Sequence, residues 1–210
     1  YKYFEEEVHR TSKAFRNWKR GHDEYIGNLW PEMFTSLLCH GPIEKALDCV
    51  APRGVEYQFT SVNVLGVPNV SDSLYAIKKL VFEKKKYSLE DVINACKNDW
   101  ENNEIMRLHF LNEEKYGNDL TEPDSMFARV ANSIADSLGS LYNQKGQPFN
   151  ASLFHFMGHT APTVIGATPD GRKANEYLAH GVNPTAGRNL NGLIPTANSM
   201  TALDLRKFQG

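Results

Sequence analysis

Gly166-Ala167-Thr168-Pro169-Asp170-Gly171-Arg172 is the stretch on which the reading of this chain turns. Pro169 presets φ for the second position of a turn, and Asp170-Gly171 adds a side-chain acceptor and a residue free to go left-handed. Upstream lies the apolar run Thr163-Val164-Ile165; downstream, residues 173–191 are rich in Gly, Asn and Pro with little helical or strand period. An ordered turn followed by so little regular structure implies backbone placed for a purpose. A phosphate loop is excluded: Arg172 and Lys173 stand where that motif needs Lys and then Ser or Thr. Pro169 also removes one of the amide donors that would cradle a phosphate.

Outward from the turn, the 210 residues allow one large domain or a piece of a bigger one, and 41% hydrophobic content with eleven Phe supplies a core. A net charge of −2 leaves no electrostatic footprint for nucleic acid. No run approaches a membrane span, and no signal-peptide segment opens the chain. Cys39, Cys49 and Cys96 show no paired spacing and leave one over, which argues for a reducing, cytoplasmic setting.

Residues 1–32 read as a peripheral helix anchored by Phe4, Val8, Phe15 and Trp18. Met33 to Cys49 has helical spacing broken by Gly41-Pro42, which predicts two short helices. From Gly54 to Gly66 the β-branched and aromatic content predicts a strand. Asn69 or Ser71 is placed to cap the next helix, and Ser88 with Asp91 forms a capping box for another. Helices through Ile105–Leu111 and from Thr121 onward follow, then strands over Ala151–Met157 and Leu193–Met200. The class is mixed α/β.

Local constellations name no self-contained active site. His155 and His159 are four apart, about 13 Å along a strand, too far to share a metal ion. Asp119, Glu122 and Asp124 lack the calcium-loop pattern and read as caps. Cys39 and His40, adjacent on a helix, point apart and cannot share a proton.

Several blocks taken together resemble the glycyl radical enzymes, the pyruvate formate-lyase-like group, and within it the dehydratase and C–X lyase branch. They are Tyr57-Gln58-Phe59-Thr60; Asn69 through Leu74 with Ala76 through Phe82; Lys115 through Asp119; and Gly166 through Arg172. Gly181, Asn183-Pro184, Gly187-Arg188, Gly192, Ser199 and Leu203-Asp204 complete the match over residues 33–207. The resemblance implies part of a ten-stranded α/β barrel, the second half-barrel with its surrounding helices. It also implies a parent homodimer acting on a small organic substrate in a buried centre. There a glycyl radical, installed by a radical-SAM activase, oxidises a cysteine to a thiyl radical.

Two departures accompany the match. Neither the family's R-V-x-G-Y radical loop nor its G-C-x-E-type cysteine loop occurs in these residues. The expectation is therefore a piece of the parent enzyme with no catalytic residue, cofactor or metal of its own. On barrel alternation, the substrate-facing candidates are Thr60, Ser61 and Asn63, then Phe154 and Phe156, then Ile194 and Thr196. Asp170 and Arg172 are expected to brace the radical loop's neighbourhood. Ser61-Val62 stands where the family has Gly-Pro, and Gly192 is followed by Leu193-Ile194-Pro195-Thr196-Ala197 where the dehydratase pattern reads G-P-T-A-x-L, which implies a different substrate. Formate acetyltransferase chemistry, or a non-catalytic partner that docks on a full barrel, are the alternatives.

Overall fold

The computed structural model describes residues 1–143, 146–154 and 161–209. Their contacts divide into two units, residues 1–62 with 133–151, and residues 63–132 with 152 onward.

The first unit is built on α1 (Lys2–Leu29). Phe4, Val8, Ser12, Phe15, Lys19, Asp23 and Ile26 are among its less exposed positions, at the three- and four-residue spacing of one helical face. On that face Phe15 meets Phe149 edge-on, with centroids 6.3 Å apart, and His9 Nδ1 lies 3.3 Å from Ser137 Oγ. Trp18, expected as an anchor, lies outside and is 59% exposed, its ring against His22. As expected, two short helices follow, α2 (Met33–Leu38) and α3 (Pro42–Lys45), with Pro42 in the first turn, where no amide donor is needed. The strand expected over Gly54–Gly66 shrinks to β1 (Thr60–Asn63), which pairs with β2 (Phe149–Ser152). β2 thus begins two residues before the expected strand and ends well short of Met157.

The second unit opens with α4 (Val67–Ile77), entered through Gly66 at φ +66° with Pro68 in the first turn. The helix therefore starts before Asn69 and Ser71, and neither caps it. It runs into a π-helical turn, Lys78–Glu83. After α5 (Leu89–Lys97) come α6 (Glu104–Asn112) and α7 (Thr121–Gly139), whose last residues belong to the first unit. Ala76, Leu80, Val92, Ala95, Trp100 and Phe110 form a buried cluster. Beside α7, Tyr116 stacks on Phe127 at 3.8 Å.

The capping box at α5 is present as the sequence predicts. Asp91 N donates to Ser88 Oγ at 3.1 Å and Ser88 N to Asp91 Oδ2 at 3.2 Å. Ser88→Ala is expected to cost about 1 kcal/mol, measured by urea unfolding, with Glu90→Ala as a near-silent neighbour.

One expectation is overturned. Leu193–Met200 is a helix, α9, and no strand. Gly192 at φ +92° breaks the preceding chain, and Thr196 N donates to Gly192 O at 3.3 Å to close the first turn. Pro195 lies in that turn, where its missing N–H costs nothing. A short four-residue α8 (Ala161–Val164) completes the elements before the Gly166 turn.

Candidate functional site

The Gly166–Arg172 turn is held by a buried polar frame within the second unit. Gly171 N donates to Thr168 O at 3.1 Å, and Thr168 N to Arg172 O at 3.0 Å, so the turn closes on itself. Asp170 is 4% exposed, and its carboxylate accepts from Asn69 Nδ2 at 2.7 Å and from Thr168 Oγ1 at 2.5 Å. Its main-chain N–H donates to Ser73 Oγ at 3.0 Å. Asn69 is the hub: Nδ2 also reaches Thr185 Oγ1 at 3.1 Å, and Oδ1 accepts from Ala179 N at 2.7 Å. One amide side chain thus ties α4 to the turn and to the irregular segment, across sequence separations of 101 to 116 residues.

Arg172 is 2% exposed, yet every acceptor of its side chain is a neutral oxygen. Nε donates to Thr168 Oγ1 at 3.1 Å, and Nη1 donates to the carbonyls of Lys173 at 3.0 Å and Glu176 at 2.8 Å. Nη2 donates to the carbonyls of Ile165, at 3.2 Å, and Gly166. A fork of donors spread over four carbonyls fastens main chain on both sides of the turn. Trp100 Nε1 and Arg107 Nη1 cap the carbonyls of Arg172 and Gly171, at 3.3 Å and 3.0 Å.

A second polar cluster lies on the same unit. Asp72 Oδ1 accepts from Tyr116 N at 2.9 Å, whereas Oδ2 meets no donor among the described residues. Burial pushes the Asp72 carboxyl up to about 7, against the opposing pull of Lys115. Lys115, pushed down by its own burial, donates to the carbonyls of Phe110 at 2.7 Å and Glu113 at 2.9 Å. Asp124, expected as a cap, is buried: Oδ2 accepts from Ser199 Oγ at 2.8 Å and Oδ1 from Gly117 N at 3.4 Å. Ser199 Oγ in turn accepts from Asp119 N at 2.8 Å, which fastens α9 to the loop before α7.

The upward shift of Asp72 gives a signed pH dependence. The fold favours the protonated carboxyl, so its contribution is fully present below the ordinary carboxylate pKa and is lost as pH rises towards about 7. The chain is expected to lose on the order of 2–4 kcal/mol between pH 4 and pH 7.5 through this group. Asp72→Asn, which keeps the acceptor for Tyr116 N, is expected to flatten that slope in urea melts at the two pH values. An unchanged slope would show that Asp72 is ionised in the folded chain.

The candidate substrate-facing residues fall in different surroundings. On β1, Thr60 is buried while Ser61 and Asn63 are exposed, and Phe154 is 42% exposed with its ring edge-on to His180 at 5.7 Å. Phe156, like His155 and His159, lies outside the described residues. Ile194 and Thr196 are on a helix, so strand alternation does not apply to them. Ile194 is 75% exposed, and Thr196 is buried, donating to Gly117 O at 3.0 Å. Among the described residues no group of three or more His, Cys, Asp or Glu is arranged to hold a metal ion. No described helix is long and apolar enough to cross a membrane.

The family model described as pyruvate formate lyase-like matches residues 1–161. The chain belongs to the pyruvate formate lyase-like family. Among curated relatives, the probable dehydratase YbiW of Escherichia coli K12 is 30% identical over 190 residues, 83% of this chain and 23% of that protein. Among solved structures, the glycerol-bound, B12-independent glycerol dehydratase of Clostridium butyricum superposes with a TM-score of 0.85. It is 29% identical over 94% of this chain and 25% of its own. A glycyl radical enzyme from Archaeoglobus fulgidus superposes with a TM-score of 0.88 at 26% identity, over 97% of this chain and 26% of its own. The chain thus spans about a quarter of the length of the proteins it matches, and its mixed helices and strands are a portion of the pyruvate formate lyase-like barrel fold.

Proposed function

We propose that this chain forms part of a glycyl radical lyase that cleaves a C–O or related C–X bond of a small organic substrate. The observation that carries the reading is the superposition on the glycerol dehydratase over 94% of the chain. In such an enzyme the radical, installed by a radical-SAM activase, supplies hydrogen abstraction through a cysteine. The residues present do not fit that role. Cys96 is pushed up to about 12 by burial, Cys49 is buried with its thiol towards Glu32 O at 3.9 Å, and no cysteine follows a Gly in a G-C-x-E pattern. Their part is structural: the Asn69–Asp170–Arg172 frame fixes the Gly166 turn, and a fixed wall helps keep water from a reacting centre. Thr60, Ser61, Asn63 and Phe154 are the residues proposed to face substrate, with Asp170 and Arg172 supporting the radical site.

On this reading the 210 residues alone do not turn over. Adding activase, S-adenosylmethionine and reductant is expected to give no glycyl EPR doublet and no loss of water from glycerol. A chimera tests the lyase assignment: this chain replaces its matched quarter of the Clostridium butyricum enzyme. A retained doublet and cleavage of a C–X bond in at least one member of a panel of diols, larger polyols, amines and sulfonates are the expected result. A folded chimera that carries the radical but cleaves no C–X bond in that panel would favour a non-catalytic docking role.

A further inference from the structure

A cavity of about 450 Å³ lies within the first unit, between one face of α1 and the chain entering β1. Its charged wall is Lys19, His22 and Asp23, which share a helical face at spacings of three and four. Lys19 Nζ is ion-paired with Asp23 Oδ1, and His22 Nδ1 lies 3.5 Å from the same oxygen. Opposite stand Thr60 and Ser61, whose hydroxyls have no hydrogen-bond partner among the described residues, and Phe59 adds an apolar face. A second cavity of about 20 Å³ opens on the same Lys19, Asp23 and Thr60, room for about one water.

We infer that this cavity binds a neutral polyhydroxylated molecule of the hexitol or hexose class. Asp23 offsets the charge of Lys19 and leaves its own second oxygen as an acceptor, so an organic anion would meet a carboxylate. A hydroxyl both donates and accepts, which suits a space lined by an ammonium, a carboxylate and an unpaired alcohol. At about 30 Å³ per water, the volume equals about fifteen waters, more than a triol fills and within the range of small-molecule sites. The carbon-bound hydrogens of such a ligand suit the Phe59 ring. Because Thr60 and Ser61 are also proposed substrate-facing residues, the inference rests on and narrows the lyase reading to a larger polyol.

The test is binding without turnover, so it succeeds or fails apart from the radical chemistry. The 210-residue chain is titrated with D-sorbitol by isothermal calorimetry and by amide chemical shifts. Saturable millimolar binding is expected, with shifts centred on residues 19–23 and 59–61. Asp23→Asn is expected to weaken it at least tenfold and the isosteric Thr60→Val several-fold, with the unfolding midpoint of Thr60→Val unchanged. Absence of saturation, shifts mapping elsewhere, or wild-type affinity in a folded Thr60→Val would overturn the assignment. So would tighter binding of citrate than of sorbitol, since the site would then be selecting charge.

Discussion

Arg172→Lys is expected to lower the unfolding free energy by about 3 kcal/mol, and Arg172→Ala by about 5 kcal/mol. The guanidinium is 2% exposed and serves one hydroxyl and four carbonyls, on Ile165, Gly166, Lys173 and Glu176. An ammonium offers three donors from a single point and cannot span acceptors on both sides of the turn. At least two buried carbonyls are then left unmet, at about 1–3 kcal/mol each. With water excluded, no solvent screening softens the loss. Urea melts measure it; a cost below about 1 kcal/mol for Arg172→Lys would show that these carbonyls reach water in solution.

Gly171→Ala is the second large effect. Gly171 holds φ +91°, and an added Cβ would lie 2.8 Å from Leu111 Cδ1 and 2.9 Å from Leu111 Cα. The backbone conformation costs about 1–3 kcal/mol for a residue with a Cβ. Overpacking adds about 1–3 kcal/mol, because a main-chain atom on α6 cannot rotate away. A total of about 2–6 kcal/mol is expected, with a lower unfolding midpoint. Gly166, five residues earlier in the same stretch, is the internal control: a Cβ there meets nothing within 4 Å. Gly166→Ala is expected to be within about 0.5 kcal/mol of neutral.

The two glycines look alike in sequence, and the same limit runs through the rest of the chain. Signals confined to a few neighbouring residues were legible: the Ser88–Asp91 box, the Gly41-Pro42 break, and the helical spacing behind α6 and α7. For Leu193–Met200 the reading as a strand passes over two helix-start signals, Gly192 and a Pro in the first turn. The frame itself was beyond local reading. Asn69 carried the composition of a helix cap, and only a fold that brings residues 170, 179 and 185 to α4 makes it a hub. Asp72 and Lys115 stood inside the blocks that resemble glycyl radical enzymes, but nothing in sequence shows that burial opposes both their charges. The irregular segment 173–191 is fastened in part through Asn118, which donates to Arg188 O at 2.8 Å and accepts from Asn191 N at 3.1 Å.

Amide hydrogen exchange at Asp170, Gly171 and Ala179 probes directly whether a buried polar frame, and not regular secondary structure, immobilises this part of the barrel. These N–H groups donate to Ser73 Oγ, Thr168 O and Asn69 Oδ1. Protection equal to that of the amides in the middle of α7 is the predicted result, and Asn69→Ala is predicted to abolish it at Ala179. Exchange of the three amides at open-loop rates in the unaltered chain would contradict the account.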